Sequence, residues 1–345
     1  MYAVSQADVL AARERIVRHV HRTPVLTCSS LSALASAGAG VPLALAFKCE
    51  LFQRSGSFKM RGASNAVQRL TAEECGRGVC THSSGNHAQA LALAASQRAG
   101  CPAYVVMPSN SPGIKKAATA GYGASVIECA PTQAAREAAA AEVCARTGAT
   151  FVHPSEDPAV IAGQGTLALE LLEQAGEALG APPEDGCPVL DAVIVPVGGG
   201  GLISGIALAL QGSGTLVVGA EPAAANDAAR SKATGERQGH LNGVPPTTIA
   251  DGLKTTLGPN TWPIVRDLVA DIVTPSEDQI RAALRHVYER AKLAIEPSAA
   301  VGVAVALSKE FGDVVRARLQ AAGKRPLRVA VILCGGNCDV ATLFD

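Results

Sequence analysis

The longest apolar stretch of the chain, residues 189–210, is broken by Asp191, Pro196 and a run of four glycines, Gly198, Gly199, Gly200 and Gly201. A membrane span needs about 20 apolar residues without such interruptions. The stretch reads instead as a buried strand over 192–197, a glycine turn, and a helix over 202–210. A strand that is apolar on both faces belongs to a parallel sheet covered by helices. The same rhythm recurs along the sequence. Strands are expected at 43–47, 77–82, 103–107, 125–129, 151–153, 216–220 and 327–333. Helices are expected at 8–20, 58–70, 86–99, 134–145, 167–179, 277–292 and 299–310, and an exposed loop at 180–188. This alternation predicts an α/β fold with open, mostly parallel twisted sheets. The section from about Cys80 to His153 has its own strand–helix rhythm. It is expected to form a small domain over 76–159, set into a large domain made of 1–75 and 160–345. A ligand then lies between the lobes, at the carboxyl ends of the strands.

Composition narrows the function. With 345 residues, 48% of them hydrophobic, the chain can bury a large core. Its 30 Lys and Arg balance 30 Asp and Glu, so no basic face for a nucleic-acid polymer is expected. Ten cysteines contain no CxxC, and the Cys334–Cys338 pair has no histidine nearby, which disfavours zinc. Reduced thiols and an N-terminus without a basic and apolar leader predict a cytoplasmic protein.

Three segments carry chemistry. In Ser55-Gly56-Ser57-Phe58-Lys59-Met60-Arg61-Gly62, Ser57 is expected to cap a helix whose first turn holds Lys59. The positive helix end would lower the lysine's pKa toward the neutral amine that Schiff-base chemistry needs. Ser83-Ser84-Gly85-Asn86-His87 offers hydroxyls, an amide and free backbone N–H groups at a helix start, a place for a carboxylate. Glycines 198–201 let backbone N–H groups approach a phosphate, and without Gly-Lys-Ser/Thr they are no P-loop. The spacing Gly199-x-Gly201-x-x-Ser204, followed by Glu221 at a strand end, also approaches a dinucleotide fingerprint. Glu221 and Asp227, with carbonyls between them, have donors for a hard cation, although a solvated acidic loop is the simpler reading.

Read together, these segments resemble the fold-type II pyridoxal-phosphate enzymes (tryptophan synthase β-like). They are most similar to the serine racemase and threonine/serine dehydratase family. The resemblance spans the chain: Thr23-Pro24-Val25-Leu26, Lys48-Cys49-Glu50, the Lys59 and Ser83 segments, Ala162-Gly163-Gln164-Gly165-Thr166, Pro196 to Leu202, Asp251-Gly252-Leu253-Lys254, Asn260-Thr261-Trp262-Pro263 and Glu296-Pro297-Ser298. It implies that Lys59 carries the cofactor and is the base on one face of the substrate Cα. Ser84 would serve the other face. Phe58 would pack beside the cofactor, and Asn86 would bond its 3′-oxygen. Gly198, Gly199, Gly200, Gly201 and Leu202 would cradle the phosphate. Ser83, Ser84, Asn86 and His87 would surround the substrate carboxylate, with Arg136, Asp251 and Thr255 as further substrate-side candidates. Glu221, the Ala225 carbonyl and Asp227 would hold Mg²⁺, Ca²⁺ or Mn²⁺.

Two positions depart from the family pattern. Cys334 stands where the family has a serine against the pyridine nitrogen. A thiol is still mostly neutral, so the chemistry is expected to survive with a longer, weaker hydrogen bond. Thr255 stands where close relatives often have serine. The resemblance further implies a homodimer and a nucleotide such as ATP as effector; the C-terminal regulatory domain of the family's larger deaminases is not expected, with nine residues after Gly336. The activity implied is interconversion of L- and D-serine with β-elimination to pyruvate and ammonia. A threonine/serine ammonia-lyase or a 3-hydroxyaspartate dehydratase without racemisation is the alternative, and a nicotinamide oxidoreductase the remote one.

Overall fold

A computed structural model describes residues 2–111, 113–180, 188–319 and 325–339. Residues 181–187, most of the expected exposed loop, lie outside the described residues. Among the described residues, ten strands form two sheets: β1 Val25–Thr27, β2 Leu43–Cys49, β3 Val79–His82, β4 Ala103–Pro108, β5 Ser125–Cys129, β6 Thr150–Phe151, β7 Ala192–Pro196, β8 Leu216–Ala220, β9 Asp271–Val273 and β10 Leu327–Leu333. The larger sheet has the order β1-β2-β10-β7-β8-β9 and the smaller β5-β4-β3-β6. Every pairing is parallel except that of β1 with β2. β10 lies in register between β2 and β7, with Ala330 opposite Ala46 on one side and Val193 on the other. Its Val329–Leu333 run is wholly buried, as are Ala192–Val195 of β7, which explains why both read as unbroken apolar runs.

Helices cover both sheets. The helix Pro158–Ala178 runs between the helices Lys59–Arg69 and Gly201–Ala209. Its approach is too close for side chains. A Cβ on Gly163 would come within 2.6 Å of Arg61 O and 2.7 Å of Gly62 Cα, which accounts for the Gly-Gln-Gly segment. Beside this contact lies a buried ionic knot. Arg61 bonds Glu50 at 2.8 Å and Glu170 at 2.8 Å, and Lys48 bonds an oxygen of Glu170 at 2.9 Å. Among the described residues no helix is long and apolar enough to cross a membrane.

The helices expected at 8–20 and 86–99 stop early, at Ile16 and Ser96, and two others end differently. The helix from Glu277 stops at His286 and passes through a wide turn, Val287–Ala291, before left-handed Lys292 (φ 59°). The helix expected at 299–310 is two, Pro297–Ala306 and Lys309–Arg318, because Ser308 caps the second through Phe311 N.

Candidate active site

Because the sheets are parallel, the segments leaving β2, β3, β6, β7, β8 and β10 emerge on the carboxyl side of their sheets, where ligands of such folds bind. These segments bring Lys59, Ser83–Asn86, Pro154–Ser155, the glycine run, Glu221 and Cys334 to that side.

The Lys59 segment is stitched to the end of β10. Phe58 N donates to Cys334 O at 3.0 Å, Gly336 N donates to Gly56 O at 3.0 Å, and Ser57 pairs with Gly335. This corrects the cap assignment. Ser57 is extended and drawn into that bridge, so its hydroxyl caps nothing and is buried without a partner among the described residues. The residue before the helix is Phe58. Lys59 Nζ donates to Pro154 O at 2.7 Å and sits 5.1 Å from the Phe58 ring centre. Enclosure by the surrounding residues brings its pKa down to about 8, against an opposing pull from Cys334 and Glu296. Burial is thus the largest cause of the shift.

The helix Asn86–Ser96 starts after Gly85 with no side-chain cap, leaving its first N–H groups open to a ligand. Ser83 N is held by Val106 O at 3.1 Å. The His87 imidazole is buried and turned to Val152 O at 3.3 Å. Burial and then Lys59 keep it well below its usual pKa, so what His87 presents at the helix start is its backbone N–H. Asn86 is held from both ends, its Nδ2 at 3.0 Å from each oxygen of Glu296 and its Oδ1 at 3.0 Å from Asn337 Nδ2. Burial pushes the Glu296 carboxyl up to about 7, with Asn86 pulling the other way. The sequence reading gave Glu296 no role. The available signal was a glutamate placed directly before the proline that opens a helix.

The glycine run forms a cradle. Gly200 is left-handed (φ 81°) and precedes the uncapped helix Gly201–Ala209. A Cβ there would come within 2.6 Å of Leu257 Cδ2, and one on Gly199 would collide with Ser155 Oγ. Bare N–H groups at a helix start behind a surface without side chains suit a phosphate. Ser155, missed in the sequence, lines that cradle. The Cys334 thiol is buried, which raises its pKa well above the usual thiol value and keeps it neutral. Together with the Lys59 amine these residues fit pyridoxal phosphate.

Substrate-side candidates divide. Thr255 lies at the lip of the cradle, its methyl 3.5 Å from where a Gly199 Cβ would be. Asp251 is exposed and paired with Lys115 at 2.7 Å. Arg136 lies in the first turn of the helix Gln133–Thr147, held by Gln133 and close enough to His82 to lower its pKa after burial does. On the other flank, Glu221 is buried and accepts from Ala228 N at 2.8 Å and Ala229 N at 2.9 Å. Asp227 accepts from Leu257 N at 3.2 Å. Burial, then Asp227, pushes the Glu221 carboxyl up to about 8, and burial brings Asp227 up to about 6. Glu221 is buried in this loop and not open to a ribose beside the glycine run, which removes the dinucleotide reading.

Comparison with known proteins agrees. Residues 16–335 match the family described as pyridoxal-phosphate dependent enzyme. The human serine racemase is 45% identical over 99% of this chain and 93% of its own. The chain belongs to the pyridoxal-phosphate dependent enzymes, in the serine racemase family. The structure of maize serine racemase superposes on this family member with a TM-score of 0.87 at 42% identity, over 99% of this chain and 96% of its own. A threonine deaminase from T.th. does so at 0.81 with 40% identity, over 97% and 99%.

Proposed function

We propose that this chain interconverts L- and D-serine and also eliminates water from serine to give pyruvate and ammonia. One observation carries the reading. A lysine amine with lowered pKa stands among an uncapped helix start, a glycine cradle and a neutral thiol, in a chain whose relatives are serine racemases over their length. When bound, pyridoxal phosphate supplies the sink for the electrons left at Cα. The rest is work for side chains. The N–H groups of 198–202 would hold the phosphate, Phe58 would pack beside the ring, Asn86 would bond the 3′-oxygen, and the neutral Cys334 thiol would serve the ring nitrogen without protonating it. Ser83, Ser84 and the backbone N–H groups of Asn86 and His87 orient the substrate carboxylate. Lys59 Nζ takes the Cα proton on one face, and Ser84 Oγ delivers one on the other. The lobes 76–159 and 1–75 with 160–345 enclose this set, and the two separate sheets support that division.

A divalent cation belongs to the same reading. Burial raises the cost of ionising both carboxyls, and Asp227 adds to that of Glu221; Mg²⁺, Ca²⁺ or Mn²⁺ bound by them with the Ala225 carbonyl relieves it. A cytoplasmic homodimer and activation by ATP complete the proposal, and kinship is what supports them.

The test is incubation with L-serine, pyridoxal phosphate and Mg²⁺, with D-serine and pyruvate measured separately, for the wild type and Ser84→Ala. Both products are expected from the wild type, and Ser84→Ala is expected to lose D-serine far more than pyruvate. Pyruvate without D-serine from the wild type would overturn the racemase reading in favour of a dehydratase.

A further inference from the structure

An asparagine amide is oriented by its partners, and at Asn86 a chain of three settles the matter. The Ser55 carbonyl can only accept, and Asn337 Nδ2 donates to it at 2.6 Å. The same Nδ2 donates to Asn86 Oδ1 at 3.0 Å. Asn86 must then present Nδ2 to its other neighbour, which is the pair of Glu296 oxygens, each at 3.0 Å. Glu296 is fixed by its own backbone. Its N–H donates to Gly335 O at 3.1 Å, and it directly precedes the helix Pro297–Ala306. Its side chain is buried, so it has little freedom to release the amide.

An amide nitrogen carries two protons set about 120° apart; the two Glu296 oxygens, side by side and both 3.0 Å away, share one of them, which leaves the other with a defined direction. We propose that Glu296 is a positioning residue that acts through Asn86, clamping the amide so that its second N–H is kept for the cofactor's 3′-oxygen. The proposal rests on the role given to Asn86 above. Asn337 completes the clamp by preventing the amide from turning over. Neither residue needs to touch the substrate.

The experiment uses the holoenzyme and its Glu296→Gln and Glu296→Ala variants. Three quantities are read: the visible absorption of the bound cofactor, the dissociation constant for pyridoxal phosphate after stripping and re-addition, and the melting temperature. Glu296→Ala should shift the visible band and weaken cofactor binding about tenfold, the worth of one buried hydrogen bond to an ionisable group. Glu296→Gln, whose amide oxygen still accepts from Asn86, should restore both. The clamp is overturned if Glu296→Ala keeps the wild-type band and affinity, or if Gln is as impaired as Ala at an unchanged melting temperature. Should Glu296→Ala fail to fold, Asn337→Ala must shift the band in the same direction, and an unchanged band sinks the proposal. A wild type with no visible band would overturn the active-site reading along with the clamp.

Discussion

Lys59 and Arg61 stand two residues apart on one helix, and the fold treats their charges in opposite ways. Arg61 is wholly buried, and burial opposes its charge, but Glu50 and Glu170 outweigh that and raise its pKa. Lys59 has one carbonyl for its amine and, among the described residues, no carboxylate within bonding distance, so enclosure prevails and its pKa falls. A buried cation with its counter-ions holds elements together, whereas one denied them is available for chemistry. The Glu221–Asp227 pair repeats the second case with the sign reversed.

The largest effect that tests this contrast is on turnover. Lys59→Ala should abolish racemisation and elimination together, by about 10⁴-fold or more, with the melting temperature near that of the wild type. A large loss of stability would mean that Lys59 is structural after all. Arg61→Met should do the converse and cost about 3–5 kcal/mol of stability, because it strands the buried Glu50 carboxylate and leaves Glu170 with Lys48 alone. Denaturant unfolding measures it, and a loss under about 1 kcal/mol would break the distinction.

The metal loop gives a smaller effect with a defined pH window. Glu221 has a raised pKa in the native state, so the native state holds more protons than the unfolded chain between the ordinary carboxylate value and about 8. Stability without metal should therefore fall as pH rises through that window. Mg²⁺ or Ca²⁺ at about 100 times its pH 8 dissociation constant should add about 2.7 kcal/mol at pH 8, and the same concentration should add less at pH 5.5, where protons compete for the carboxylates. Melting curves with EDTA and with metal decide it, and equal curves would remove the cation from the proposal. The smallest effect concerns the lysine itself. Capture of pyridoxal phosphate by the stripped protein needs the neutral amine, so its rate should rise about tenfold between pH 7 and 9. A rise of about a hundredfold over the same interval, as for an amine of ordinary pKa, would contradict the lowered pKa of Lys59.

Much of this was legible in the sequence, for local reasons. Glycines 198–201, Ser83–His87 and the Lys59 segment each follow a strand and open a helix, so short-range pattern located them. What escaped was set at long range. Glu296 meets Asn86 across 210 residues, and no local pattern announces that contact. Ser57 looked like a cap until Gly335 took it into a bridge. The short strands β1 and β9, three residues each on the outer edges of the sheet, carry too few residues to show a period. The helix Ser29–Ala39, rich in serine and alanine, has no strong apolar stripe to mark it.

The stitch between residues 56–58 and 334–336 has a consequence for how the molecule comes into being. β10 is the last strand made among those described, yet it lies between β2 and β7. Until it emerges from the ribosome, the large sheet exists only as two unjoined halves, and the reactive lysine has no floor. β10 must therefore be made before the site can close, so a nascent chain that still lacks it presents Lys59 without the walls that tune it. Non-local pairing of this kind is slow to form. Truncation ahead of residue 334 is expected to remove the fold of the large lobe and the catalytic centre together, with no partly active fragment between.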